Sequence, residues 1–160
     1  MPQLLCGSIG FLKQIFDQMR FFILLVSISF FSFPSVAQKN KVDLTVTLTG
    51  IANKNGMIEF GLYNDPSKFA KVGQTLKTLR VKITSSQAVV TFHDLEPGKY
   101  AVCFYHDENN NKSCDKNFLS IPTEAYAFSN NIRPKFSIPT FEECSFSVTK
   151  NKSVTARLVY

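Results

Sequence analysis

From Val42 onward the chain is a series of short runs in which apolar and polar residues alternate, and turn-forming residues break the runs at near-regular intervals. Val42–Thr49 is the clearest. Val42, Leu44, Val46 and Leu48 fall on one side of the count and Asp43, Thr45, Thr47 and Thr49 on the other. A period of two is the signature of a strand with one buried face. Asn53-Lys54-Asn55-Gly56 follows, and Asn-Gly between alternating runs predicts a hairpin. The return strand is Met57–Tyr63, with Ile58, Phe60 and Leu62 inward and Asn64-Asp65-Pro66-Ser67 as its closing turn.

Residues 78–84 and 88–92 read as two more strands joined through Ser85-Ser86-Gln87, after a 68–77 segment that is a loop or one helical turn around Phe69. Leu95-Glu96-Pro97-Gly98 is a turn. In residues 99–105 both faces are apolar, which predicts a central strand covered on both sides. Residues 144–149 and 153–160 complete the series as a last hairpin around Lys150-Asn151-Lys152. Seven short strands with no convincing helix predict an all-β fold, a seven-stranded immunoglobulin-like or transthyretin-like β-sandwich with one long loop. Without Trp, and hence without a Cys…Trp…Cys spacing, it is not a true immunoglobulin domain.

The first 37 residues have a different character. Residues 21–33 are almost purely apolar, with Arg20 before them and Pro34-Ser35-Val36-Ala37 after. A basic residue, an apolar core and a small-x-small end make a secretory signal peptide, with Ser35 and Ala37 at −3 and −1 and cleavage before Gln38. The run is shorter than the ~20 residues a membrane span needs. Asp17 is unusual in such a leader, and Met19-Arg20 would make a tidier start. The expected domain is therefore 38–160, 160 − 37 = 123 residues, enough for one compact unit.

Removing Lys13, Arg20 and Asp17 from the totals leaves 16 basic and 11 acidic side chains, a net +5. The charges are scattered, with no basic stripe or nucleic-acid motif, so nucleic acid is not an expected partner. Three cysteines remain: Cys103, Cys114 and Cys144. Export permits disulfides, but three thiols allow only one bridge, and spacing does not say which.

The stretch between these strands, residues 106–131, carries the candidate chemistry. Asp107, Asn109, Asn111 and Asp115 sit at positions 1, 3, 5 and 9 of a cation-loop pattern, with Ser113 placed to offer its carbonyl at position 7. All are oxygen donors, so the expected cation is Ca²⁺. Two features depart from an EF-hand: Lys112 stands where Gly is expected and Phe118 where a bidentate Glu is expected. Glu124 supplies a carboxylate if Ile121-Pro122 turns the chain back. The competing reading is a metal-free loop whose Asx side chains satisfy its own backbone. Tyr126 and Phe128 are candidates for a ligand platform, though aromatics in such a loop more often pack over a core edge. His93 and His106 each precede an Asp and read as surface or strand-end histidines bonded to neighbouring carboxylates. Tyr100 reads as a core tyrosine hydrogen-bonded at a strand corner.

Leu95-x-Pro97-Gly98-x-Tyr100-Ala101, His106-Asp107-Glu108-Asn109-x-Asn111, Asp115-x-Asn117, Ile121-Pro122-x-Glu124-x-Tyr126-x-Phe128-Ser129-Asn130 and Pro139-x-Phe141-Glu142 together resemble the bacterial domain-of-unknown-function family 2141 over residues 42–160. The resemblance implies a small exported β-sandwich protein of a Gram-negative bacterium, periplasmic or secreted, with no established activity. Against that pattern Lys112 replaces a usual Gly, and Ser120, Ala125 and Ala127 stand at usual Gly positions. Cys114 and Cys144 replace an apolar and a small residue, which implies that they face each other as a disulfide.

The function these readings favour is an exported binding module, Ca²⁺-stabilised in the 107–117 loop, that contacts a peptide, glycan or envelope protein. The alternative is a metal-free structural or adaptor protein of the cell envelope. A hydrolase using His106 with Asp107 or Glu124 is the minority reading, since no nucleophile–base–orienter set can be assembled.

Overall fold

The computed structural model of the protein describes residues 40–119, 121–134 and 137–160; the expected signal peptide lies outside the described residues. Among the described residues, eight strands form two facing sheets. They are β1 (Val42–Thr49), β2 (Met57–Tyr63), β3 (Lys77–Lys82), β4 (Gln87–Leu95), β5 (Gly98–Asp107), β6 (Tyr126–Phe128), β7 (Phe146–Val148) and β8 (Lys152–Arg157). The first sheet has the order β4-β1-β8 and the second β3-β2-β5-β6, with β7 also pairing with β5. The all-β sandwich expected from the alternation is what forms.

Period two decides which side chains go inside. Val42, Leu44, Val46 and Leu48 of β1 face Ile58, Phe60 and Leu62 of β2 and Tyr100, Val102 and Phe104 of β5 across one core. Phe60 and Phe104 meet edge to face, with ring centroids 5.4 Å apart. Each fully buried side chain of this size contributes about 1.5–3 kcal/mol. The Tyr100 hydroxyl donates to the Glu96 carbonyl at 2.6 Å, as expected of a corner tyrosine.

Pairing is where the structure departs from the local reading. The Asn53–Gly56 signal does not close a hairpin, because β1 and β2 lie in opposite sheets. Gly50, at φ +78°, turns the chain out of the first sheet, and the Ile51 N–H is tied to the Ser86 carbonyl at 3.2 Å. The connection then arches over the end of the sandwich. Strands β3 and β4, expected as neighbours, also split between sheets, as do β7 and β8; β8 instead runs parallel to β1. The eighth strand, β6, is a three-residue segment inside the stretch read as loop. A single-turn helix, α1 (Phe141–Cys144), was also not expected. Thr140 and Glu143 cap it reciprocally, the Glu143 N–H donating to Thr140 Oγ1 and the Thr140 N–H to Glu143 Oε2.

Strand β5 is covered on both faces, as its composition predicts. On its outer face Ala101 joins Tyr63, Phe69, Phe128, Phe141 and Cys144 in a second apolar cluster, with Cys103 packed against it. Phe69 reaches it from the turn after β2, touching Tyr63, Phe128 and Phe141.

That placement corrects the Cys114–Cys144 disulfide. All three described cysteines are free thiols. Cys144 sits in α1 under the aromatic cluster beside Cys103, held there because Ser129 Oγ donates to the Cys144 carbonyl and accepts from the Val102 N–H. Cys114 belongs to the loop that begins four residues further along β5, about 13 Å at the rise of a strand. It is half-buried near Glu124, and burial first, then that carboxylate, pushes its thiol up to about 11.

Candidate functional site

The loop that leaves β5 is organised by Asp107, the last residue of the strand. Asp107 is 1% exposed. Its Oδ1 accepts the Asn111 N–H at 3.0 Å and its Oδ2 the Lys112 N–H at 2.9 Å, while Arg80 Nη1 reaches Oδ2 at 3.4 Å. The chain bends to deliver these donors by passing through positive φ at Asn110 (+59°) and Lys112 (+65°). Lys112 thus adopts the conformation for which Gly was expected, at a steric cost that Gly would not carry. The Asx side chains complete the turn: Asn109 Oδ1 accepts from Asn111 N–H and Asn111 Oδ1 from Ser113 N–H.

Asp115 closes the other side. Its Oδ2 accepts from Asn109 Nδ2 at 2.7 Å and its Oδ1 from Asn111 Nδ2 at 2.8 Å. The chain then folds back as a small distorted ladder, with Thr123 N–H on the Asp115 carbonyl and Asn117 N–H on the Ile121 carbonyl. That return brings Glu124 to the loop, as the Ile121-Pro122 turn suggested. Glu124 clasps both arms, Oε1 accepting from Glu108 N–H and Oε2 from Asp115 N–H. Its carboxyl is pushed up by burial, only partly offset by those two N–H donors, and pushed further by Asp115 and Asp107.

The structure therefore gathers Asp107, Asn109, Asn111, Asp115 and Glu124 into one network, but their oxygens are occupied by N–H donors. Ser113, expected to offer a carbonyl, contributes its N–H. Among the described residues no group of three or more His, Cys, Asp or Glu side chains is arranged to hold a metal ion. What could still receive a hard cation is the spare lone pairs of Asp115, Glu124 and the two Asn carbonyl oxygens. Asp107 is already engaged by two backbone N–H groups and by Arg80.

Three residues essential to this arrangement carry no motif in the sequence. Arg80 on β3, Glu59 on β2 and Tyr105 on β5 stand in one row across the outer face of the second sheet, since Glu59 is in register with both. Arg80 Nη2 pairs with Glu59 Oε2 and reaches the Tyr105 hydroxyl at 3.0 Å, and that hydroxyl donates to Glu59 at 3.0 Å. Burial and the Glu59 carboxylate push the Tyr105 hydroxyl well above its usual range. The row holds Arg80 where its other nitrogen meets Asp107. Only strand register creates it.

His106 stands at the end of β5, the strand-end position of the expectation, and is wholly buried. Its Nε2 lies 2.7 Å from the Asn55 carbonyl, so that nitrogen carries the proton. Nδ1 lies 3.2 Å from the Tyr160 hydroxyl, and that hydroxyl accepts the Ala52 N–H at 2.8 Å. Glu108 Oε1 stands 3.6 Å from Nδ1. The ring ties the 50–56 arch, the last strand's continuation and the loop base together. Gly56 seals the same corner: a Cβ there would come within 1.8 Å of the Asp107 carbonyl oxygen. His93 is exposed and bonds Asp43, across the β1–β4 pair, not the adjacent Asp94.

Of the two candidate platform aromatics, Phe128 is buried in the outer cluster and offers no open ring face; Tyr126 is half-buried beside it, centroids 6.0 Å apart. The open apolar surface of the loop lies elsewhere. Phe118 is 93% exposed, Leu119 62% and Ile121 53%. Asn117 Oδ1 accepts from both Leu119 N–H and Ile121 N–H, which ties these two residues to Asn117. No helix among the described residues is long and apolar enough to cross a membrane.

Neither a curated protein nor a solved structure matches the chain. A family model does match, over residues 46–156, which spans the sandwich from β1 to β8 and includes the whole loop. The chain belongs to the family described as an uncharacterized protein conserved in bacteria, DUF2141.

Proposed function

We propose that the protein is an exported binding module that presents the tip of its 107–124 loop to a protein of the bacterial envelope. The observation that carries this reading is the exposure of Phe118, Leu119 and Ile121 beside Asn117, whose Oδ1 accepts two of their N–H groups. Exposed large apolar side chains grouped on one short segment point to an interaction surface, and a loop ordered before it binds loses less entropy on binding. The tip suits an apolar protein pocket better than a glycan. The Asn and Asp side chains that could bond sugar hydroxyls are engaged within the loop. In intact cells of the native host, a photoreactive phenylalanine analogue at position 118 should give light-dependent protein adducts. The same probe at exposed Lys150 should give several-fold less, and Leu119→Ser with Ile121→Ser should remove the adducts. Equal adducts at both positions, or none at 118, would sink the reading.

A second reading adds Ca²⁺ to the same loop, and the crowding of Glu124 by Asp115 and Asp107 favours it. A carboxyl whose folded pKa is raised contributes stability below its unfolded pKa, ~4.3, and that contribution is lost as pH rises through the folded value. A divalent cation among Asn109, Asn111, Asp115 and Glu124 would relieve the repulsion that remains above it. The expected result is that millimolar Ca²⁺ lowers the Glu124 pKa, followed by carboxyl NMR, and raises the thermal midpoint. An unchanged Glu124 titration removes Ca²⁺ and leaves a loop held by its own side chains.

A further inference from the structure

The outer apolar cluster contains two thiols that the loop and its binding surface do not use. Cys103 projects from the middle of β5 toward this cluster, opposite Phe128 in register. Cys144 is fully buried within it, on the last residue of α1. The backbones are brought together by one hydroxyl: Ser129 Oγ holds the Cys144 carbonyl at 2.6 Å and the Val102 N–H at 2.9 Å, so α1 docks beside the residue preceding Cys103. Asn130 Nδ2 adds bonds to the Glu143 and Ser145 carbonyls, which flank Cys144 on both sides. Ser129 and Asn130 thus hold residues 143–145 by three hydrogen bonds, and Ser129 accepts a fourth from β5.

We propose that Cys103 and Cys144 form the protein's disulfide once it is exported, with Cys114 left as the free thiol. This rests on the export reading for the oxidising compartment, but not for the juxtaposition. The bond would staple α1 to β5 and hold Phe141 under Phe69 and Phe128. The chemistry balances as thiol–disulfide exchange. One Cys thiolate attacks a small-molecule or protein disulfide and releases one thiol. The second Cys thiolate then attacks the mixed disulfide and releases the other, so two protein thiols are oxidised as one S–S bond is reduced.

The surroundings also say when this happens. Burial pushes the Cys144 thiol up to about 12 and carries Cys103 higher still, with the neighbouring Cys144 adding to the rise. The thiolate is the attacking species, so exchange in the packed cluster is slow. The bond should therefore form as the chain folds, before Phe69 and Phe141 close over it.

Trypsin separates the three cysteines of residues 38–160, since Lys99, Lys112, Lys116, Lys135 and Lys150 bracket them. The unfolded, reduced chain is refolded with reduced and oxidised glutathione, alkylated in denaturant and digested without reduction. In parallel, the chain is recovered from exporting cells and treated in the same way. The expected product in both is peptide 100–112 joined to peptide 136–150, two hydrogens lighter than their sum, with Cys114 alkylated. Cys114→Ser should retain it, whereas Cys103→Ser and Cys144→Ser should each lose it. Reduction should lower the thermal midpoint by on the order of 10 °C, the scale for a bridge closing a loop of this length. Three alkylated cysteines after refolding, or a bridge that includes Cys114 in the unmutated chain, would overturn the pairing. A bridge in the refolded chain but not in the cell-derived chain would uphold the pairing and contradict export.

Discussion

Replacing Asp107 by alanine should lower the thermal midpoint by roughly 10 °C or more and leave residues 108–124 without a fixed conformation. The size follows from what the carboxylate holds. At 1% exposure it accepts two backbone N–H groups and stands against the Arg80 guanidinium. Removing one partner of a buried ion pair strands the other, a loss of about 3–5 kcal/mol, and each kcal/mol moves the midpoint of a domain this size by ~4 °C. Arg80 retains Glu59 and Tyr105, which places the loss at the lower end of that range. Asp107→Asn should fall between, because an amide oxygen can keep one N–H donor while the charge opposite Arg80 is gone. A thermal melt of the three proteins side by side checks the order. Asp107→Ala melting within 2 °C of the parent would show that the loop does not hang on this residue.

The second large effect is expected at His106. His106→Ala leaves a cavity where a fully buried ring stood and deprives both the Asn55 carbonyl and the Tyr160 hydroxyl of their partner. Truncation of this kind combined with lost buried hydrogen bonds costs about 3 kcal/mol. The midpoint of urea unfolding should fall accordingly at unchanged slope. His106→Phe refills the volume but not the hydrogen bonds, so it should recover less than half of the loss. Full recovery by Phe would mean that the ring acts by packing alone. Both nitrogens of His106 are engaged within the protein, so its loss should register as instability.

How much of this was legible in the sequence depends on the range of the interaction. The inward faces of β1, β2 and β5 follow from alternation, because burial on a pleated strand repeats every two residues whatever the partner strand is. Partner choice does not follow from alternation. Asn55-Gly56 looked like a hairpin turn, yet Gly56 serves a different purpose: its missing Cβ lets the Asp107 carbonyl approach. The same residue type meets either need. The loop's internal wiring was largely readable, because Asn109, Asn111 and Asp115 act on donors two to six residues away and Glu124 returns through a Pro-marked turn. The Arg80–Glu59–Tyr105 row was not readable, since it exists only once three strands are in register. The thiol placement failed for the same reason. Ser129 bridges the Cys144 carbonyl and the Val102 N–H, which lie 42 positions apart in the chain.

Hydrogen exchange at the loop amides tests the central claim most directly: the loop is built as a rigid element before any ligand arrives. The Asn111, Lys112 and Asp115 amides, bonded to Asp107 and Glu124, should exchange on the order of 100-fold or more below free-peptide rates. The same amides in Asp107→Ala should lose that protection while those of β1 and β5 keep theirs. Free-peptide rates for the loop in the unsubstituted protein would contradict the account.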